Sequence, residues 1–548
     1  MRAFRLILLS LLLLVASSAC GSAPAPGASA PPPTAAVRST DLPHASADSA
    51  GRYDIGAPAL MTDLWVDPVH GADSHSGASR DQALRTISAA WNQIPTATPL
   101  TNGYRIWLVA GDYTEDYFPV YWEQRYGTQT APIIIQSADG PLAARLQGSL
   151  NVYDVRYLYW IDLEVRNAGD VFHCELCDHL LLRGVRFDGG NRQAHETIKV
   201  NQSRDVYIED SDIGGSYENA IDFVAVQYGH IVGNRIHTAD DWCIYLKGGS
   251  AYYRIEGNEI YDCGTGGFTA GQGTGFEYMV SPWLHYEAYD LKFINNVVHD
   301  TEGAGFGVNG GYNILLAYNT LYRVGTRSHG MEFVFGLRTC DGDTARCSAN
   351  QSAGGWGTAN SQEEPIPNRN LYVFNNILYN PAGVQSQWQH FAIYGPRQPS
   401  PGSNIPAPAR TDDNLQIRGN LIWNGPADLP LGIEGGEACQ AGNPTCNADQ
   451  LRADNAINTI EPALVDPAHG DFRPVAGGSV FGVTTFAIPA FPAWASLTPP
   501  VPAGNLDNTV ATDRAGNPRT ASGPPGAYTG QDAATFRRSY LPLVVSVT

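Results

Sequence analysis

The sequence predicts an all-β chain coiled as a parallel solenoid, and three observations carry that prediction. Ser211, Asn234, Asn258, Asn296, Asn319, Asn376 and Asn420 recur at intervals of 23, 24, 38, 23, 57 and 44 residues, a unit of 23 or 24 with loops added where the interval jumps. A short apolar alternation repeats in phase with them, Ile221 and Phe223 in one unit, Ile244 and Leu246 in the next. The segments between are Gly- and Asn-containing turns with no helical pattern. In such a coil each turn pairs with the turns above and below it. Inward positions stack apolar side chains, and corners stack residues that tolerate left-handed geometry. Asn at a corner can also bond its amide to the next Asn.

The rungs align over seven turns. Phe172, Ile198, Ile221, Ile244, Phe268, Phe306 and Met331 share one inward position; Cys174, Val200, Phe223, Leu246, Ala270, Val308 and Phe333 share the next. Alternation along a strand sends the residues between them outward. One outward column then reads His173, Lys199, Asp222, Tyr245, Thr269, Gly307 and Glu332, and the second reads Glu175, Asn201, Val224, Lys247, Gly271, Asn309 and Val334. Coils about 4.8 Å apart make Lys199, Asp222 and Tyr245 direct neighbours, with Lys247 diagonal to Asp222. The turns entering these strands add Glu196, Glu218, Asp240 and Asp241.

At the N-terminus, Arg2 and Arg5 precede an apolar run from Leu6 to Ala16, then Ser17, Ser18, Ala19 and Cys20. This reads as a secretory signal over 1–20, too short to span a membrane as a helix. The small residues before Cys20 resemble the bacterial lipoprotein cleavage box, with Ser17 where that box usually carries Leu, and the resemblance implies lipidation of Cys20. Residues 21–50 are Ala, Pro and Ser with almost no large apolar side chain, the composition of a disordered tether. An exported, surface-anchored protein follows, touching a membrane only through that anchor.

The net charge of −20 makes nucleic acid an improbable partner, and a polyanionic ligand would need a cation or a local basic patch to approach. Apart from Cys20, eight cysteines remain for an oxidising compartment. Cys340 with Cys347, and Cys439 with Cys446, are spaced to staple single loops. Cys174 and Cys177 in HCELCDH read as structural or disulfide-forming rather than as half a zinc site, because no second ligand pair stands at finger spacing. The pairing of Cys174, Cys177, Cys243 and Cys263 is left open.

The stretch DLWVDPVHGADSHSG from Asp63, followed by an apolar helical spacing of Ile87, Ala90, Trp91 and Ile94, resembles the opening of the extracellular right-handed parallel β-helix proteins of the pectate lyase-like superfamily. Thr86 to Ile94 would be their capping helix, covering the open end of the coil. DPAHGDFRPVAGGS from Asp466 and the segment ending at Tyr528 are similar to the closing coil of that superfamily. The resemblance implies a right-handed β-helix over 105–475, a cap region over 51–104, a closing segment over 476–528 and a tail over 529–548. It speaks for fold more than for activity.

Three activities compete for the outward row. As a polysaccharide lyase, the chain would bind Ca²⁺ through Glu218, Asp222, Asp240 and Asp241, neutralise a uronate carboxylate, and use Lys247 or Lys199 as the base, with Tyr245 beside them and Arg338 next in line. As a hydrolase it would use Asp240 and Asp241, since ADDWCIYLKGG resembles the DDCIAIKSG stretch of polygalacturonase-type enzymes, where paired acids perform acid and base work. Trp242 before Cys243, NAID in the preceding rung and the lack of a following GHG motif depart from that pattern, so lyase ranks above hydrolase. The third activity is a glycan-binding or adhesin solenoid without catalysis. In each case the partner is a polysaccharide and the chain a monomer. His195, Trp242 and Glu332, with Trp283 and Trp356 on the long insertions after Ala270 and Glu332, are the candidate sugar contacts.

Overall fold

The computed structural model describes residues 51–530 apart from 59, 436, 437, 440–442, 444 and 521. The signal, the tether, Cys20 and the tail beyond 530 lie outside the described residues. Three long sheets of twelve, ten and twelve strands form the faces of the coil, and successive turns pair in parallel. The ten-stranded sheet carries the outward row. Its strands are β1 (Trp122–Glu123), β2 (Leu150–Tyr153), β3 (Phe172–Glu175), β4 (Ile198–Asn201), β5 (Ile221–Val224), β6 (Trp242–Lys247), β7 (Gly266–Gly271), β8 (Ala304–Asn309), β9 (His329–Val334) and β10 (Gln389–Ile393). The register is the one read from the sequence: Lys199 opposes Asp222, Asp222 opposes Tyr245 and Val224 opposes Lys247. Both inward columns are buried in one continuous apolar core.

The Asn corner is a hydrogen-bonded ladder. The side-chain oxygen of Asn258 accepts from the backbone N–H of Asn234 at 2.9 Å and from its amide nitrogen at 3.0 Å. The same pattern repeats through Asn296, Asn319, Asn376 and Asn420, and ends one rung later at Asn455. Ser211 opens the series, its N–H donating to the Asn234 side-chain oxygen. Each side chain from Asn234 to Asn420 is fully buried, so the ladder satisfies backbone groups that water cannot reach.

At the N-terminal end, Ile87–Trp91 forms the capping helix, with the Thr86 side chain accepting from the Ala89 N–H. Its buried Ile87, Ala90 and Trp91 close the core. Parallel pairing starts before this helix, with Met61–Val66 against Gly103–Leu108. It ends at Ala456–Ile457, short of the expected 475, because Leu464–Asp466 and Asp471–Pro474 pair antiparallel. Pro467 and a left-handed Gly470 at φ 85° reverse the chain there.

The insertions after β7 and β9 join each other. Gly273–Gly275 pairs with Gly336–Thr339, which pairs with Glu364–Ile366. Four disulfides form: Cys340–Cys347 and Cys439–Cys446 as the spacing indicated, and Cys174–Cys177 and Cys243–Cys263, whose pairing the sequence left open. Among the described residues no helix is long and apolar enough to cross a membrane.

Candidate functional site

Strand alternation and the 23–24-residue coil place Lys199 on β4, Asp222 on β5, and Tyr245 and Lys247 on β6 side by side on one face. Asp222 is buried at 1% exposure and ion-paired with Lys199, while the Lys247 ammonium lies 3.7 Å from the same carboxylate. The two lysine side chains keep 23% and 17% of their surface, so the ion cluster opens to solvent through its cations. Lys247 sits over the Tyr245 ring at 4.0 Å from its centroid. The Tyr245 hydroxyl is held by the Gly273 N–H at 3.2 Å, which brings the first insertion to the edge of the cluster.

Glu196 completes the group. It is 2% exposed, its carboxylate accepts from the Asn219 backbone N–H at 3.0 Å, and it stands 3.7 Å from Lys199. Burial, with Asp222 as a second cause, pushes its carboxyl up to about 8. Burial would raise Asp222 too, but Lys199 and Lys247 outweigh it and hold that carboxyl below its usual range. Burial likewise works against a charged Lys199, and Asp222 and Glu196 more than compensate, so its ammonium is held above the usual lysine range. The group therefore holds Lys199 as an ammonium beside an ionised Asp222, with Glu196 pushed toward its protonated form. Glu196 stands in the sequence as one of the acids at the turns, three residues before Lys199; its burial is what singles it out, and the strand pattern does not encode that.

Beside this group, His195 lies between Asp170 at 3.3 Å and Glu218 at 3.4 Å. Those two carboxylates raise the imidazole to about 10, making it a further cation near neutral pH. His195, Glu196 and Glu218 bring one donor atom each within 4.8 Å, a set of groups that could hold an ion. The four carboxylates expected to bind calcium do not converge as one donor set. One oxygen of Asp222 is shared by the two lysines, and exposed Asp240 is paired with Arg192. Asp241 follows Glu218 by one coil, its N–H donating to the Glu218 carbonyl at 3.1 Å, and burial raises its carboxyl.

Four further expectations are corrected. Trp242 is 1% exposed, packed with Tyr245 and Ala304 and donating its indole N–H to Gln272 at 2.7 Å, so no sugar can stack on it. Trp283 and Trp356 turn away from the row onto the adjoining twelve-stranded sheet, where they join Tyr286, Tyr312 and Trp494; aromatic area is better buried there than left at the rim. Arg338 is fully buried. It donates to Glu287 at 2.6 Å and to the carbonyls of His285 and Trp356, and Glu287 in turn accepts from the Gly248 N–H at 3.0 Å, so Arg338 fastens the insertions to the turn that follows Lys247 and meets no substrate. That turn needs glycine: Gly248 and Gly249 have φ of 63° and 84°, and a Cβ on Gly249 would lie 2.5 Å from the Trp283 carbonyl oxygen. Glu332 does face outward, four strands beyond Asp222, bonded to His329 at 2.9 Å and to Asn309 at 2.9 Å.

Residues 170–344, the turns that hold this cluster, match the family described as right handed beta helix region. Comparison with curated protein sequences gives no match. Among solved structures, a rhamnogalacturonan lyase aligns at 12% identity over 66% of this chain and 87% of its own, with a TM-score of 0.42. The A-module of Azotobacter vinelandii mannuronan C-5 epimerase AlgE4 aligns at 12% identity over 58% and 85%, TM-score 0.33, and pectate lyase Pel9A at 13% over 86% and 97%, TM-score 0.35. With parallel coils running from Met61 to Ile457 and this family match in their midst, the chain is a right-handed parallel β-helix protein.

Proposed function

We propose that this chain is an exported polysaccharide lyase that binds a uronate-containing polymer across the ten-stranded sheet and cleaves it by β-elimination, with Lys247 as the base. The observation that carries this reading is the solvent-open lysine pair bracketing buried Asp222. A protein of net charge −20 concentrates positive charge at one point of one face, where a polyanion can be held. Lys199 and His195, both held in their charged forms, receive the uronate carboxylate. Lys247, over the Tyr245 ring and open to solvent, takes the proton from the carbon beside that carboxylate. The C–O bond to the leaving sugar breaks, a C=C bond forms, and the leaving oxygen regains a proton from solvent. Asp222 orients both lysines, and Tyr245 supports the Lys247 stem.

The competing hydrolase reading loses ground because Asp240 is spent on Arg192. The test is to incubate purified protein with a panel of uronate polysaccharides, with added Ca²⁺ or with chelator, reading ultraviolet absorbance of unsaturated ends against new reducing ends. Unsaturated ends that persist in chelator are the expected result; reducing ends without unsaturation identify a hydrolase, and neither product leaves a binding protein. Surface anchoring through Cys20 belongs to the same proposal: Cys20→Ser is expected to release the exported protein from the membrane fraction, and unchanged association contradicts it.

A further inference from the structure

The outward columns do not end at the lysines. Their β1–β3 end holds a cleft of about 250 Å³ lined by Tyr121, Glu123, Asn151, Tyr153, His173 and Glu175. These residues continue the two outward columns. Asn151 opposes His173, which opposes Lys199, and Tyr153 opposes Glu175. The cleft therefore begins one strand spacing, roughly 5 Å, from the lysine group. Its volume is below the roughly 300–1,000 Å³ of sites that take drug-sized ligands, and suits a single ring.

Its chemistry is the reverse of its neighbour's. No lysine or arginine lines it, two carboxyl side chains do, and burial lowers His173 so that its ring is neutral near pH 7. Tyr121, 60% exposed, offers an aromatic surface at the mouth. The two carboxylates and the Asn151 amide accept hydrogen bonds from sugar hydroxyls, while a second uronate placed there would face Glu123 and Glu175. We propose that this cleft is a distinct subsite for an uncharged sugar unit, so that the preferred polymer is mixed, with a uronate at the lysines and a neutral sugar adjoining it. This inference rests on reading the lysine group as the uronate site.

The test is affinity electrophoresis of the full chain in gels containing either a homopolymeric uronate or a polymer alternating uronate with neutral sugar. Tyr121→Ala, at an exposed position, is expected to weaken retention by the mixed polymer about tenfold and leave the homopolymer unchanged. Glu175→Gln is expected to strengthen retention by the homopolymer. Equal effects on both polymers, or none on either, overturn the subsite. If Lys199→Ala changes neither retention while Tyr121→Ala still weakens the mixed polymer, the uronate reading of the lysines has failed and the cleft stands as a binding site of its own. Retention by neither polymer overturns both.

Discussion

Asp222 and Glu196 show how one residue's charge state is set by its neighbours. Two lysines keep Asp222 ionised, and Asp222 helps keep Glu196 protonated. Asp222→Asn removes that repulsion and leaves Lys199 with Glu196 alone, so Glu196 is expected to titrate well below its present value of about 8, which carboxyl NMR reads directly. Removing one member of a buried ion pair costs about 3–5 kcal/mol, and because Glu196 can take over Lys199 the loss in urea unfolding is expected at or below about 3 kcal/mol. A Glu196 that still titrates near its present value would show burial, not Asp222, to be its whole cause. His195 carries a separate pH signature. Its imidazole is raised from 6.5 to about 10 by Asp170 and Glu218. Its contribution to stability is therefore complete below pH 6.5 and is lost as pH rises through 10. The ring is expected to remain an imidazolium at pH 8, measured by histidine NMR; a neutral ring at that pH contradicts the pairing.

At the scale of elements, the Asn ladder does for the corner what main-chain pairing does for the sheets. Asn258 accepts from Asn234, and its own amide donates to the Ile231 carbonyl and to Asn296. Asn258→Ala leaves those buried groups unpaired at about 1–3 kcal/mol each. The expected loss is at least 2 kcal/mol in denaturant unfolding, larger than for Asn455→Ala at the end of the ladder; equal losses at the two positions would mean that the corner is not a continuous ladder. This element was legible in the sequence because Asn and the flanking apolar pairs repeat in phase, and the coil period alone puts Lys199, Asp222, Tyr245 and Lys247 together. The insertions were not legible. Their residues obey no coil period, and their course is set by contacts between distant segments, Arg338 with Glu287 and Tyr245 with Gly273, that local pattern does not encode. That is why Trp283 and Trp356 read as rim residues and Arg338 as a reserve base, while all three prove to be packing residues. Trp242 misled for a related reason: Gln272, on the insertion after the next strand, bonds its indole N–H, and the local pattern around Trp242 does not encode that contact.

Over the whole molecule, the ten-stranded sheet offers an acceptor-rich cleft at one end, a cationic group in the middle, and His329, Glu332 and exposed Trp388 near the other end. Nine strand spacings of about 4.8 Å make this face roughly 43 Å long, which suits a polymer laid across the strands. Most of the surrounding protein is acidic, so the lysine pair is where an anionic chain gains rather than loses electrostatic energy. The lyase reading turns on Lys247 as the base of the elimination. The most direct measurement compares wild type with Lys247→Ala on a uronate polymer, following the formation of unsaturated ends together with thermal unfolding. Lys247 is partly exposed and Asp222 keeps Lys199, so the fold should be retained, while turnover should fall by about 10²-fold or more, the usual contribution of a positioned base. A variant that unfolds as wild type does and still forms unsaturated ends at the wild-type rate would contradict that role.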